Sequence, residues 1–188
     1  MENTATVTTT QATYKADPAH SHVGFKVRHL GFSKVKGKFD EFEVEVQVNP
    51  ADLSTLKADA SISTSSIDTG NGDRDAHLRS GDFFESETWP AMKFASGAVK
   101  KTEGNSFELE GVLTIRKASN PVVLKGEFLG EAKDPWGNDR IALEASATIN
   151  RKEFGLTWNQ VLETGGLLVG EDVDIVLDIQ AVKAADQG

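Results

Sequence analysis

The sequence predicts an all-β fold: eight or nine strands in an up-and-down antiparallel sheet, closed into a barrel and carrying short helical inserts. Three observations predict it. Apolar and polar residues alternate with a period of two along most of the chain, the pattern of half-buried strands. Clusters of Gly, Asn, Asp and Pro separate the alternating runs, so consecutive strands should be antiparallel neighbours. No long segment carries the period of an amphipathic helix, and no repeat of ~40 residues points to a propeller. Several runs last about ten residues, longer than the ~5–6 of an ordinary sandwich strand. Closing such a sheet removes its exposed edges. A two-sheet sandwich is the alternative.

In chain order, residues 1–12 are polar and read as a disordered tail, with a single barrel domain expected over 13–184. Asp17-Pro18 breaks the first short strand. Val23, Phe25 and Val27 then alternate cleanly with Gly24, Lys26 and Arg28. Gly37 suggests a bulge in the next run. Val44, Val46 and Val48 form one apolar row, and Leu56, Ala58, Ala60 and Ile62 form another. Phe94 marks the following strand and Glu103-Gly104-Asn105 its hairpin turn. Phe107, Leu109, Gly111, Leu113 and Ile115 are the most regular row before Lys117-Ala-Ser-Asn-Pro turns the chain. Val122 to Phe128, Ile141 to Ile149 and Val173 to Ile179 supply the last three.

Two stretches break the strand pattern. After Ile67, a dense turn cluster leads into Asp73-Arg-Asp-Ala-His-Leu-Arg-Ser, one or two helical turns with Asp73 as candidate N-cap and Gly81 as candidate stop. Phe83-Phe84 and Trp89-Pro90 follow. The second break is Asn150 to Gln160, and Gly165-Gly166 ends that excursion. A charged helical turn between two strands reads as a lid on a β-structure.

Composition excludes several functions. Twenty Lys and Arg against twenty-nine Asp and Glu give a net charge of −9, a field that repels nucleic acid and anionic membrane surfaces. The chain has no cysteine, which excludes disulfide scaffolds and thiolate chemistry. No run approaches the ~18 apolar residues of a membrane-spanning helix, so no stable membrane insertion is expected. The polar start predicts a cytoplasmic protein, or a periplasmic one if the N-terminus was trimmed.

Candidate chemistry is sparse. His20 and His22 could share a metal, but no third ligand stands at a telling spacing, so none is expected. Asp75 and His77 could act as an acid–base pair, which keeps a hydrolase or isomerase of a hydrophobic substrate as the alternative function. Aromatic and apolar residues concentrate in or beside the two inserts: Phe83, Phe84, Trp89, Phe94, Phe154, Leu156 and Trp158. They either seal a filled barrel end or rim an apolar cavity.

Several blocks, in order, resemble one known family. Asp17-Pro-Ala-His-Ser-His-Val-Gly-Phe-Lys-Val-Arg-His-Leu-Gly-Phe-Ser-Lys-Val-Lys-Gly-Lys-Phe is similar to the opening motif of the YceI-like, polyisoprenoid-binding proteins. Ser66-Ile-Asp-Thr-Gly-Asn-Gly-Asp-Arg-Asp-Ala-His-Leu-Arg-Ser-Gly-Asp-Phe-Phe resembles their most distinctive signature, which continues through Trp89-Pro-Ala-Met-Lys-Phe. Gly111-Val-Leu-Thr-Ile-Arg, Asn120-Pro-Val-Val-Leu and Ala147-Thr-Ile-Asn-Arg-Lys-Glu-Phe-Gly-Leu match later blocks, so the resemblance spans Tyr14 to Val182.

The resemblance implies an extended, eight-stranded antiparallel, lipocalin-like β-barrel that binds, and carries or stores, a polyisoprenoid or isoprenoid quinone-like lipid. It implies no catalytic residue and no cofactor beyond that lipid, and it admits a homodimer. Under it, the wall contacts would come from Phe25, Val27, Phe39, Ile62, Ile67, Phe94 and Leu113. Leu78, Phe83, Phe84, Phe154, Leu156 and Trp158 would face the ligand from the inserts. His29, Arg74, His77 and Asn159 would meet its head group.

Overall fold

The computed structural model describes residues 10–185. The expected tail over 1–12 lies mostly outside them, and Ala12 already belongs to a strand. The strands are β1 (Ala12–Ala16), β2 (His22–His29), β3 (Ser33–Phe39), β4 (Phe42–Asn49), β5 (Asp52–Ser63), β6 (Ile67–Asp68), β7 (Ala91–Glu103), β8 (Ser106–Ile115), β9 (Ala118–Lys133), β10 (Asp139–Asn150) and β11 (Val169–Lys183). One helix, α1 (Gly72–Arg79), lies between β6 and β7.

These segments compose eight antiparallel barrel strands. β1 and β2 are two halves of one strand, interrupted by the 3-10 turn Pro18–His20, and both lie along β11. β3 and β4 lie along β2 and β1 in the same way, and β6 and β5 along β3 and β4. From there the chain runs up and down through β7, β8, β9, β10 and β11. The pairing of β11 with β1 closes the ring, which rules out the two-sheet sandwich.

The strict rows face inward. Leu109, Leu113, Ile115, Val122, Leu124, Ile141 and Leu143 are all buried, as the alternation requires. Gly37 is not at a bulge. It pairs in register with Phe25, and a Cβ there would lie 2.3 Å from the ring of Phe25. Gly126 pairs with Phe107 in the same manner, a Cβ meeting both that ring and the Glu144 carbonyl at 2.4 Å. A ring laid over a cross-strand glycine keeps the wall packed where the backbone must stay bare.

Both inserts emerge at the same end of the barrel. The β2–β3 turn, the segment from Thr64 to Pro90, the β8–β9 turn and the segment from Arg151 to Leu168 gather there, while β1 begins and β11 ends at the opposite end. α1 is capped two residues earlier than expected. Asn71, in extended conformation, accepts the Arg74 N–H through its side chain, so Asp73 falls in the first turn, where its charge complements the helix dipole. Ser80 rather than Gly81 ends the helix, its N–H and hydroxyl both donating to the His77 carbonyl. Among the described residues no helix is long and apolar enough to cross a membrane.

Candidate functional site

Apolar rows on all eight strands leave a cavity of about 520 Å³ inside the barrel, within the ~300–1,000 Å³ typical of small-molecule sites. Its wall includes Phe25, Val27, Phe39, Ile62, Phe94 and Leu113, with small Ala58, Ala60 and Ala145 leaving room beside them. Polar side chains reach it only from the insert end: Arg28, His29, Thr69, Asp73, Arg74, His77 and Arg151. The cavity is thus apolar along its length and polar at one mouth.

The two inserts meet over that mouth. Leu78, Phe83 and Phe84 line it from the first insert, Leu156 and Trp158 from the second. His77 stands edge-on to Phe83 (centroids 5.2 Å apart) and to Trp158 (4.6 Å), and Phe83 lies 5.5 Å from Trp158. Edge-to-face packing of this kind fixes ring orientation as well as burying area. Phe84 and Phe25 each pack against Phe39, joining the lid to the wall.

The charges of the first insert hold it in place. Arg74 donates from Nε to the Thr69 hydroxyl (2.7 Å) and from Nη2 to the Thr69 carbonyl (2.8 Å). Asp75 is buried and accepts from the Thr69 N–H at 2.9 Å and from its hydroxyl. Arg79 ties α1 to the Ser65 and Ile67 carbonyls, and Arg116 of the β8–β9 turn holds the segment after α1 by donating to the Phe83 carbonyl and to Glu85. The Asp75–His77 pair that the alternative function would use does not form. Residues two apart on a helix point to different faces, and His77 Nε2 meets Asp82 at 2.8 Å instead.

The second insert hangs on Arg151, a residue whose role the sequence reading missed. It is only 3% exposed. Its Nε donates to the Gly170 carbonyl (2.8 Å), and Nη1 donates to the carbonyls of Leu156 (2.6 Å) and Trp158 (2.9 Å). Burial pulls its pKa down, while the charge of Glu171 opposes that shift. By satisfying carbonyls on both sides of the loop, it presents Leu156 and Trp158 to the cavity.

Fourteen of the residues expected at the site line this one cavity, including His29, Arg74 and His77. Ile67, Phe154 and Asn159 do not. Ile67 and Phe154 are buried in the packed core beside it. Asn159 is occupied in replacing a strand bond: its side chain accepts the Val169 N–H (3.0 Å) and donates to the Val169 carbonyl (2.7 Å). Wall residues such as Val23, Met92 and Leu143 were readable from alternation but not singled out, whereas Arg28 and Thr69 carried no distinguishing signal and Asp73 was marked only as a helix cap. His20 contacts Asp17 at 2.9 Å, and no group of three potential metal-binding side chains occurs among the described residues.

Fold and site together define an up-and-down β-barrel built around an apolar cavity, with two inserts packed over a polar mouth. The family model for the YceI-like domain matches residues 14–181, and the chain belongs to that family. The UPF0312 protein of Staphylococcus aureus strain USA300 is 42% identical over 158 residues, covering 84% of this chain and 90% of that protein. The crystal structure of the Campylobacter jejuni YceI protein superposes with a TM-score of 0.73 at 31% identity, over 90% of this chain and 96% of that one. A polyisoprenoid binding domain from Saccharophagus degradans, implicated in plant cell wall breakdown, shares the fold with a TM-score of 0.64 at 15% identity, covering 93% of this chain and all of that one.

Proposed function

We propose that this protein binds an isoprenoid lipid inside the barrel and serves as its noncatalytic carrier or store. The observation that carries this reading is the cavity, apolar along its length and polar only at the mouth. A chain of methyl-bearing five-carbon units needs a dry enclosure, and its head group needs polar partners at one end only. At ~0.8 kcal/mol per buried methylene-sized group, each unit gains roughly 4 kcal/mol before ordering costs are subtracted. Membership of the YceI-like family and the likeness to a domain described as polyisoprenoid binding support the choice of lipid.

Native mass spectrometry and solvent extraction of the purified protein test it. The expected result is one isoprenoid lipid per chain, recovered chemically unchanged. Protein that stays empty after incubation with a long-chain polyprenol and with an isoprenoid quinone would refute the proposal. A turned-over product in place of the intact lipid would refute the noncatalytic part alone.

A further inference from the structure

The turn between β2 and β3 sits beside the cavity mouth and is built against the usual preferences of a turn. Leu30 and Gly31 both take left-handed backbone conformations, φ 54° and 80°. Gly, Asn or Asp normally fill such positions, and leucine is disfavoured there. Its side chain gains little packing in return: Leu30 is 39% exposed, and Phe32 at the same tip is 80% exposed. The loop of the second insert lies alongside, since the Leu30 N–H donates to the Leu168 carbonyl at 2.9 Å. That loop exposes Leu167 (42%) and Val161 (74%), which are bridged to one another. Single exposed apolar residues are ordinary, but four on two adjoining loops form a patch. His29 and Leu168, the immediate neighbours of Leu30 and Leu167, line the cavity.

The strands below this tip are basic in an acidic protein. Residues 22–39 carry Lys26, Arg28, Lys34, Lys36 and Lys38 and no Asp or Glu, in a chain of net charge −9. The register sets Lys26 directly opposite Lys36, and Arg28 directly opposite Lys34. Like charges facing across a strand pair destabilise it. Asp174 on β11 stands opposite Lys26 and pairs with Lys34, and Asp40 and Asp68 relieve Lys38. Arg28 and Lys36 form no ion pair among the described residues. Glu163, in the adjoining loop, is the acid nearest the apolar tip in sequence.

We propose that this apolar tip with its cationic flanks is a docking surface for an anionic lipid bilayer, which brings the cavity mouth to the membrane. Exposed leucine and phenylalanine enter the interfacial layer, while the lysines and Arg28 meet anionic head groups. The local positive field works against the repulsion that the net charge of the chain predicts. The proposal rests on reading the cavity as a lipid site, because a membrane is where a lipid too apolar for water must be exchanged.

Flotation of the full chain with phosphatidylcholine vesicles, with and without phosphatidylglycerol, tests it. Wild-type protein should float with the anionic vesicles and lose most binding in high salt. Phe32→Ser and Lys36→Glu should each weaken the partition roughly tenfold; the melting temperature should not fall in either, because both positions are exposed and Lys36→Glu gives Lys26 an opposite charge across the strand pair. Trp136→Ser, an exposed tryptophan at the opposite end, should leave it unchanged. Absence of wild-type binding to anionic vesicles, or equal losses in Trp136→Ser and Phe32→Ser, would overturn the proposal. Sedimentation showing that Phe32→Ser separates a dimer would also overturn it, assigning the face to a second copy. Lipid extracted from the same preparations keeps the two readings apart: a loaded cavity without vesicle binding defeats docking only.

Discussion

Replacing Arg151 by Met keeps an unbranched apolar stem in its slot and removes the guanidinium that three carbonyls share at 2.6–2.9 Å. The carbonyls of Leu156, Trp158 and Gly170 then lose their donor inside a region where Arg151 itself is 3% exposed. A buried polar group left unpaired costs about 1–3 kcal/mol. Recovering the desolvation cost of a buried cation offsets part of that sum. The expected net loss is roughly 2–4 kcal/mol of unfolding free energy, measured by urea titration. Arg151→Lys should recover less than half, because one ammonium cannot reproduce the planar fork that reaches carbonyls on both sides of the loop. Hydrogen exchange should locate the change in residues 155–170, with Trp158 fluorescence shifting toward that of a wetter indole. A loss below ~0.5 kcal/mol, the size of an ordinary surface substitution, with unchanged exchange in that segment, would refute the assignment of Arg151 as the support of the second insert.

Three further outcomes follow from the geometry. Ala145→Phe places a ring in the cavity; bound isoprenoid should drop or shift to shorter chains in extraction assays, while stability changes by no more than ~1–3 kcal/mol. Gly126→Ala sets a Cβ 2.4 Å from both the Glu144 carbonyl and the Phe107 ring, so thermal unfolding should show a loss of about 1–3 kcal/mol or more. At the end away from the mouth, Arg140 bridges Asp17 and Asp134 at 2.8 and 2.9 Å. Its guanidinium lowers the Asp17 pKa to about 2 and holds Asp134 well below the usual carboxylate range. Depressed carboxylates contribute stability that is complete above their unfolded pKa and is lost as pH falls toward their folded one. The melting temperature should therefore fall from about pH 4 to pH 2, and Arg140→Met should flatten that decline.

The barrel was legible because inside and outside alternate with a period of two, so rows such as Leu109, Leu113 and Ile115 declare the face they bury. Most of the cavity wall was legible for the same reason. Whether the rows meet or leave space was not, because that depends on barrel diameter and on where Ala58, Ala60 and Ala145 stand relative to the phenylalanines. Gly37 shows a second limit: a glycine that breaks a pattern looks like a bulge until its cross-strand partner is known to be Phe25. The polar mouth was only half readable. His29, Arg74 and His77 drew notice as residues able to ionise, and all three reach the cavity. Asn159 drew the same notice but is spent on the backbone of Val169. Arg151 escaped because its importance lies in carbonyls, which have no letter in the sequence.

The two ends of the barrel use their arginines differently. At the far end Arg140 sits between two carboxylates, joining the Asp17 turn to the Asp134 turn across the line where β11 meets β1. That arrangement fastens the closure of the ring and leaves no net positive charge behind. At the mouth, Arg74, Arg79 and Arg151 bond chiefly to backbone carbonyls, which neutralise nothing. Their charge stays in the site while their geometry is fixed. With Arg28 and the lysines of the β2–β3 hairpin, they gather cations at the mouth end of an acidic protein, interleaved with acids of the first insert such as Asp73 and Asp82. It is also the end that holds both inserts, the polar rim of the cavity and the exposed apolar tip. Ring closure rests on the whole length of β11 against β1 and β2, whereas the second insert hangs on the carbonyls that Arg151 holds, so losing those bonds should loosen the insert without opening the ring.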